Sequence, residues 1–224
     1  MSTRGDPTLL LVPTELELRR LADEGGFPAG LALVATCGFG PVAAAARTAT
    51  LLARLRPARV LLVGIAGAYD TARHPVGTAL EFEACAIDGI GVGEGASLIA
   101  PRALGFPQWP ASDSGAPAIF DRLPLASSAH TRARLLLTTT AASADPRQAA
   151  LRRERFPDAE AEDMEGFAVA TACAMAGIPL RIVRGISNAV GDRRPEAWRI
   201  PAALSAARER ALALFADEPS WPAP

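Results

Sequence analysis

The sequence predicts an α/β fold: a single three-layer α/β/α domain, residues 1–224, on a mostly parallel, twisted central sheet. Short, largely apolar runs without strict alternation recur along the chain, and helical patterns lie between several of them. A length of 224 residues suits one sizeable core and is short for two. Strands without alternation are covered on both faces, and helices on either side of a parallel sheet supply that cover.

In chain order, the first strand is Leu9–Val12, followed after Pro13 by a helix over Glu15–Ala22. Leu31–Thr36 is the second strand. The chain then turns at Gly38 and Gly40 into a helix over Val42–Leu55, whose small residues Ala43 to Ala46 let it lie close on the sheet. Val60–Val63 and Ala79–Ile87 are further strands, the former with Gly64 and Gly67 at its C-terminal end. From Gly89 to Arg122 the chain is rich in Gly, Pro and Ser and has no period, which reads as a long surface excursion of the lid or interface kind. After the strand Leu135–Thr139, a helix over Met164–Ala176 stops at "GIP", where Gly177 suits the turn and Pro179 prevents continuation. Leu180–Val183 is the last strand, "RGISNAVGD" its end running into a turn. The helix Ala202–Phe215 and a frayed tail over residues 218–224 close the chain.

Composition excludes several function classes. Lys+Arg number 23 against 24 Asp+Glu, so the chain presents no field for a polyanion and no nucleic acid partner is expected. The longest apolar runs fall well short of the roughly 20 residues that cross a bilayer, and the N-terminus has no secretory h-region, which makes cytoplasm the expected location. Cys37, Cys85 and Cys173 are scattered and lack C-x-x-C spacing, so neither a disulfide framework nor a zinc site is indicated. His74 and His130 are far apart and read as loop or surface residues; no metal site is expected.

Several motifs invite chemistry, and each has a plainer reading. "GIGVGEG" lacks the strand, helix and Lys-Ser/Thr context of a phosphate loop and reads as a flexible loop. Asp163 and Glu165 stand at a helix N-terminus, where carboxylates complement the dipole and cap free N–H groups. Glu15 and Glu17 in "PTELELRRL" could be the solvated face of a first helical turn. Taken alone, the glycines of "CGFGP" and "VGIAGA" are turn residues, although ligands do sit at such strand ends in open parallel sheets.

Together these pieces change the reading. "PTELELRRL" after the first strand, "VLLVGIAGA" in the middle and "ERFPDAEAEDMEGFAVATACAMAGIPLRIVRGISN" near the end resemble, in order and spacing, the nucleosidase branch of the purine nucleoside phosphorylase family. The most specific part is "EDMEGFAVATACAMAGIP" followed by "VRGISN". The resemblance implies the phosphorylase/nucleosidase-like version of the fold and hydrolysis of a purine nucleoside by water, with no cofactor. Glu17 matches the glutamate that orients the attacking water, with Glu15 as fallback, and Arg184 matches an arginine that supports both. Glu165 matches the residue that binds the ribose hydroxyls, Met164 packs on the sugar, and Ala66 and Gly67 stand in the substrate-binding turn. Ser187 holds the base-recognition residue, whose position is taken by Asn188. The family also implies a homodimer or higher homo-oligomer.

Two positions depart from relatives that cleave adenine nucleosides: Asn188 replaces an aspartate, and Ile65 replaces a serine near the water. An amide cannot protonate adenine N7, but its NH₂ suits the O6 and N7 acceptors of a 6-oxopurine. Hypoxanthine is therefore the expected leaving group. The rival expectations are an adenine nucleosidase, a phosphorylase, and a nucleoside-binding module without turnover. Trp198, Phe167 and the stretch from Gly89 to Trp109 are candidates to hold the 5′ substituent.

Overall fold

Leu9, Leu10, Leu11 and Val12 are all fully buried, because successive side chains of their strand enter different cores on its two faces. The computed structural model describes residues 7–111, 115, 117–126 and 133–216. The expected frayed tail and His130 lie outside them. The elements are β1 (Thr8–Val12), α1 (Glu15–Asp23), β2 (Leu33–Thr36), α2 (Gly40–Leu55), β3 (Arg59–Ala68) and β4 (Ala79–Asp88). They continue as α3 (Pro101–Leu104), β5 (Arg122–Pro124), β6 (Ala133–Thr139), α4 (Pro146–Arg155), β7 (Ala159–Asp163), α5 (Gly166–Ala176), β8 (Leu180–Ala189) and α6 (Ile200–Ala216).

One eight-stranded sheet runs β2-β1-β3-β7-β6-β4-β5, with β8 bonded to both β3 and β4. Most pairings are parallel, but β3–β7, β4–β5 and β4–β8 are antiparallel. The ring β3-β8-β4-β6-β7 therefore closes on itself, which a run of apolar strands does not announce. Helices α2 and α5 pack on one face, burying Ala44, Leu51, Leu52 and Phe167 against Leu9, Leu11 and Leu62. On the other face, α1 and α6 bury Leu21, Leu204, Ala207 and Leu214 against Leu10, Leu61 and Val183.

The sequence reading needs several corrections. β3 and β8 run well past Val63 and Val183, so Gly64, Gly67 and the whole of "RGISN" lie within strands rather than at turns. β2 is an edge strand with Leu33 and Val34 exposed, not a strand covered on both faces. Within the excursion after Gly89, α3 and two isolated bridges, Val92–Ile99 and Trp109–Ile119, give structure, and Arg122 opens β5. β7 and α4 carry too many charges for apolar periodicity to reveal them, although Asp145–Pro146 is an N-cap signal, with Asp145 accepting from Gln148 N at 2.8 Å. His74 is buried, its Nε2 3.4 Å from Glu160, not on the surface.

Candidate active site

The C-terminal parts of β3, β7 and β8 and the start of α1 surround a cavity of about 280 Å³. Glu17, Ala66, Gly67, Met164, Glu165, Ser187 and Asn188 all line it, so residues from four separated segments meet at one place. Arg184 is fully buried and does not line it. Glu15 does not line it either; its carboxylate accepts from Thr36 Oγ1 at 3.1 Å in an exposed position.

Glu17 is positioned by the helix that carries it. Thr14 is the N-cap of α1 and accepts from Glu17 N, while Glu17 Oε2 accepts from Thr14 N at 3.1 Å and Thr14 Oγ1 at 2.7 Å. This capping box turns the side chain inward. Its other oxygen, Oε1, accepts from the backbone N–H of Ile65 at 3.1 Å, so an amide donor is supplied by the position where the serine is missing. Gly64 permits the approach. A Cβ there would stand 2.9 Å from Glu17 Oε1 and 2.8 Å from Pro13 Cδ, and would strike Arg184 Nη1.

Asp163 ends β7 rather than opening the next helix. Its Oδ2 accepts from Arg184 Nη2 at 2.6 Å, Arg184 Nε at 3.1 Å and Gly166 N at 2.9 Å, and its Oδ1 from Thr138 Oγ1 at 2.6 Å. A buried guanidinium needs such a partner. Glu165 stands 3.5 Å from the same Nη2 and accepts from Gly40 N at 3.0 Å. It makes no capping bond to its own helix, so the dipole reading does not account for its side chain. Burial pushes Glu165 up to about 7; Asp163 adds to the rise, while Arg184 and the Gly40 N–H oppose it.

Asn188 and Ser187 form the opposite end. Ser187 Oγ lies 2.7 Å from Asn188 Oδ1 and 3.2 Å from Ala66 O. Asn188 Nδ2 donates to Ala189 O at 2.8 Å and faces Asp192 O at 3.5 Å. These neighbours set the amide's orientation, oxygen toward the hydroxyl and NH₂ toward the carbonyls. One N–H is committed; the other has only the long contact. Trp198 lines the cavity and donates from Nε1 to Asp192 O at 2.9 Å, whereas Phe167 is in the core and no residue of 89–109 reaches the lining.

Sequence reasoning missed Asp163 as the counter-ion of Arg184, Gly40 and Ile65 as backbone donors, and Glu162 as a lining carboxylate. A signal existed for Asp163 alone, since an arginine in an apolar strand demands an acid nearby. Among the described residues, no group of three or more His, Cys, Asp or Glu is placed to hold a metal ion.

A closed sheet with Glu17 and Glu165 in the lining of the cavity at its strand ends defines a class, and comparison with known proteins gives the same one. The chain belongs to the phosphorylase superfamily, whose family model matches residues 25–217. It is 32% identical to the futalosine hydrolase of Streptomyces coelicolor, over 95% of this chain and 97% of the relative. To the futalosine hydrolase of Thermus thermophilus it is 34% identical, over 94% and 96% respectively. In fold it is similar to a 5′-methylthioadenosine/S-adenosylhomocysteine nucleosidase from Colwellia psychrerythraea solved with adenine, with a TM-score of 0.73 at 21% identity over 94% of this chain and 95% of that one.

Proposed function

We propose that this chain hydrolyses the N-glycosidic bond of futalosine, releasing hypoxanthine and dehypoxanthine futalosine in menaquinone biosynthesis. The observation that carries the reading is the amide of Asn188 in the cavity lining, its oxygen held by Ser187 and one N–H by Ala189 O, while the second N–H has only the 3.5 Å contact to Asp192 O and can be given to a 6-oxopurine. The two full-length relatives named as futalosine hydrolases support it.

The chemistry follows from the geometry. As the C1′–N9 bond breaks, its electron pair leaves with the base and positive charge grows on the sugar. Glu165, once ionised, accepts from the vicinal ribose hydroxyls, and Met164 packs on the ring. Glu17 orients the water and takes its proton as the new C1′–O bond forms; its two oxygens are held by Thr14 and Ile65, so the reacting lone pair is fixed in direction. Arg184 acts through its neighbours: it holds Asp163 and Glu165 and turns Nη1 toward Gly64 and Glu17. On the base side, the second N–H of Asn188, held only by the long contact to Asp192 O, turns to stabilise the negative charge delocalised onto O6 and N7. The base then takes up a proton.

The chain works as a single domain in the cytoplasm and as a homo-oligomer. Exposed Leu16 and Phe39 on the cavity wall, with Val42 beside them, suit coverage by a second copy. Among the described residues no helix is long and apolar enough to cross a membrane. The test is purine release from futalosine and from its 6-amino counterpart, with and without phosphate and chelator. Hypoxanthine release that is phosphate-independent and chelator-resistant is expected. Preference for the 6-amino substrate would mark an adenine nucleosidase, a 5′-substituted ribose 1-phosphate a phosphorylase, and binding without release a module that has lost turnover.

A further inference from the structure

We infer that Glu162 is a specificity-determining residue that accepts the N1–H of the purine, so that the base is chosen at two points rather than at Asn188 alone. The inference rests on the hypoxanthine-releasing reading above. Gly67 of β3 pairs with Glu162 of β7 on one side and with Asn188 of β8 on the other, and all three line the cavity. Two strand spacings separate Glu162 from Asn188, about 9–10 Å, which is the span of a purine plus a hydrogen bond at either end.

Donors crowd the two oxygens of Glu162 unequally. Glu162 Oε2 accepts from Ser143 Oγ at 2.7 Å, Tyr69 OH at 2.8 Å and Arg152 Nη1 at 3.2 Å. Glu162 Oε1 accepts only from Ser143 N, at 2.7 Å. The Ser143 hydroxyl is itself used twice, because it also accepts from Arg152 Nη1 at 2.6 Å. Tyr69, Ser143 and Arg152 Nη1 thus all turn donors onto the carboxylate, the other Arg152 nitrogens go to Asp88 and Ala141 O, and the unused capacity of Glu162 is a lone pair on Oε1. Such a site takes a donor. Hypoxanthine presents N1–H there, with O6 and N7 toward the weakly held second N–H of Asn188; adenine presents a lone pair at N1, facing another lone pair.

Glu162→Gln tests this with a change of one atom. Three donors crowd the Oε2 position and one the Oε1 position, so the new NH₂ takes the Oε1 place and offers adenine N1 a donor. The ratio of kcat/KM for futalosine to that for its 6-amino counterpart should fall roughly tenfold or more in the variant. A wild type that releases hypoxanthine from futalosine, with a ratio unchanged by Glu162→Gln, overturns the inference and leaves the functional reading intact. A wild type that releases no hypoxanthine from futalosine overturns the functional reading instead. Binding to the wild type decides independently of turnover and of whether the variant folds. Hypoxanthine carrying C–H in place of N1–H should bind roughly tenfold more weakly than hypoxanthine itself, and equal binding would refute a role for Glu162 at N1.

Discussion

Glu15 and Glu17 are two residues apart on one helical turn, yet one side chain is bound to the outer face of the sheet and the other enters the cavity. Glu17→Ala should therefore lower kcat by about 10²–10⁴-fold while nucleoside binding survives, and Glu15→Ala should leave turnover near the wild-type level. Steady-state kinetics on both variants checks this; a dead Glu15→Ala would move the water to the other carboxylate. Glu165 gives a pH dependence. Only its ionised form accepts from both ribose hydroxyls, so kcat/KM should rise through about pH 7. Its folded value is raised above the ordinary 4.5, so its contribution to stability is full below pH 4.5 and is lost as pH rises through about 7. Glu165→Gln, which cannot ionise, should gain about 1–3 kcal/mol on the wild type between about pH 5 and pH 8. Denaturant unfolding at the two pH values measures it. Asn188→Asp places an oxygen where Nδ2 meets Ala189 O at 2.8 Å, so the aspartate must stay protonated or swing away. Activity on futalosine should fall and any activity on the 6-amino counterpart rise; an unchanged ratio of kcat/KM would take base choice away from Asn188.

Strands and helices here carry the site in pairs. The capping box that starts α1 also fixes Glu17, so folding signal and working geometry are one set of bonds. Thr14→Ala should cost about 1 kcal/mol of stability through the lost cap, and should also lower kcat, because a donor to Glu17 disappears. A cap with no influence on Glu17 would change thermal stability without changing kcat. β8 and α6 show the same economy in packing. A Cβ at Gly185 would stand 2.9 Å from Ala203 Cα and would overlap the Ala203 carbonyl, since the helix backbone lies directly on the strand there. Gly185→Ala should destabilise by about 3 kcal/mol, read as a lowered denaturation midpoint. β7 is the most unusual element. Glu160, Glu162 and Asp163 are all buried, and each carboxylate has its own partner, respectively Arg73, Arg152 and Arg184.

The ring β3-β8-β4-β6-β7 brings positions far apart in the chain to one end of the sheet, where polar side chains can be buried together because the strands supply donors for them. The bond from Gly40 N to Glu165, across 125 residues, links α2 to the start of α5 over the cavity. Beside the cavity, Phe39 is 67% exposed and Val42 84% exposed, which suits the coverage by a second copy proposed above. Replacing Phe39 and Val42 by glutamate should shift the protein toward the monomer in light scattering and lower kcat/KM. A monomeric wild type with full activity would show that one copy completes the site.

Most strands and helices were legible in the sequence because their signals are local. β1 is apolar after its first residue, β4 and β6 each hold an unbroken apolar stretch, Ala84–Ile87 and Leu135–Leu137, α2 opens after glycine and closes near Pro57, and α5 ends at Gly177 in the left-handed region. That Glu17, Glu165 and Asn188 would meet at one place was also legible, through the order and spacing of their motifs. What could not be read was the set of contacts that gives them their properties. Glu17 is held by an amide 48 residues away, and Arg184 finds its counter-ion 21 residues away. β7 looks like a charged loop until its partners are counted, since a carboxylate is buried only where donors from other elements converge on it. Apolar burial follows from a residue's own chemistry and its period along the chain. Polar burial depends on which distant groups the closed sheet sets beside it, and that is decided in three dimensions.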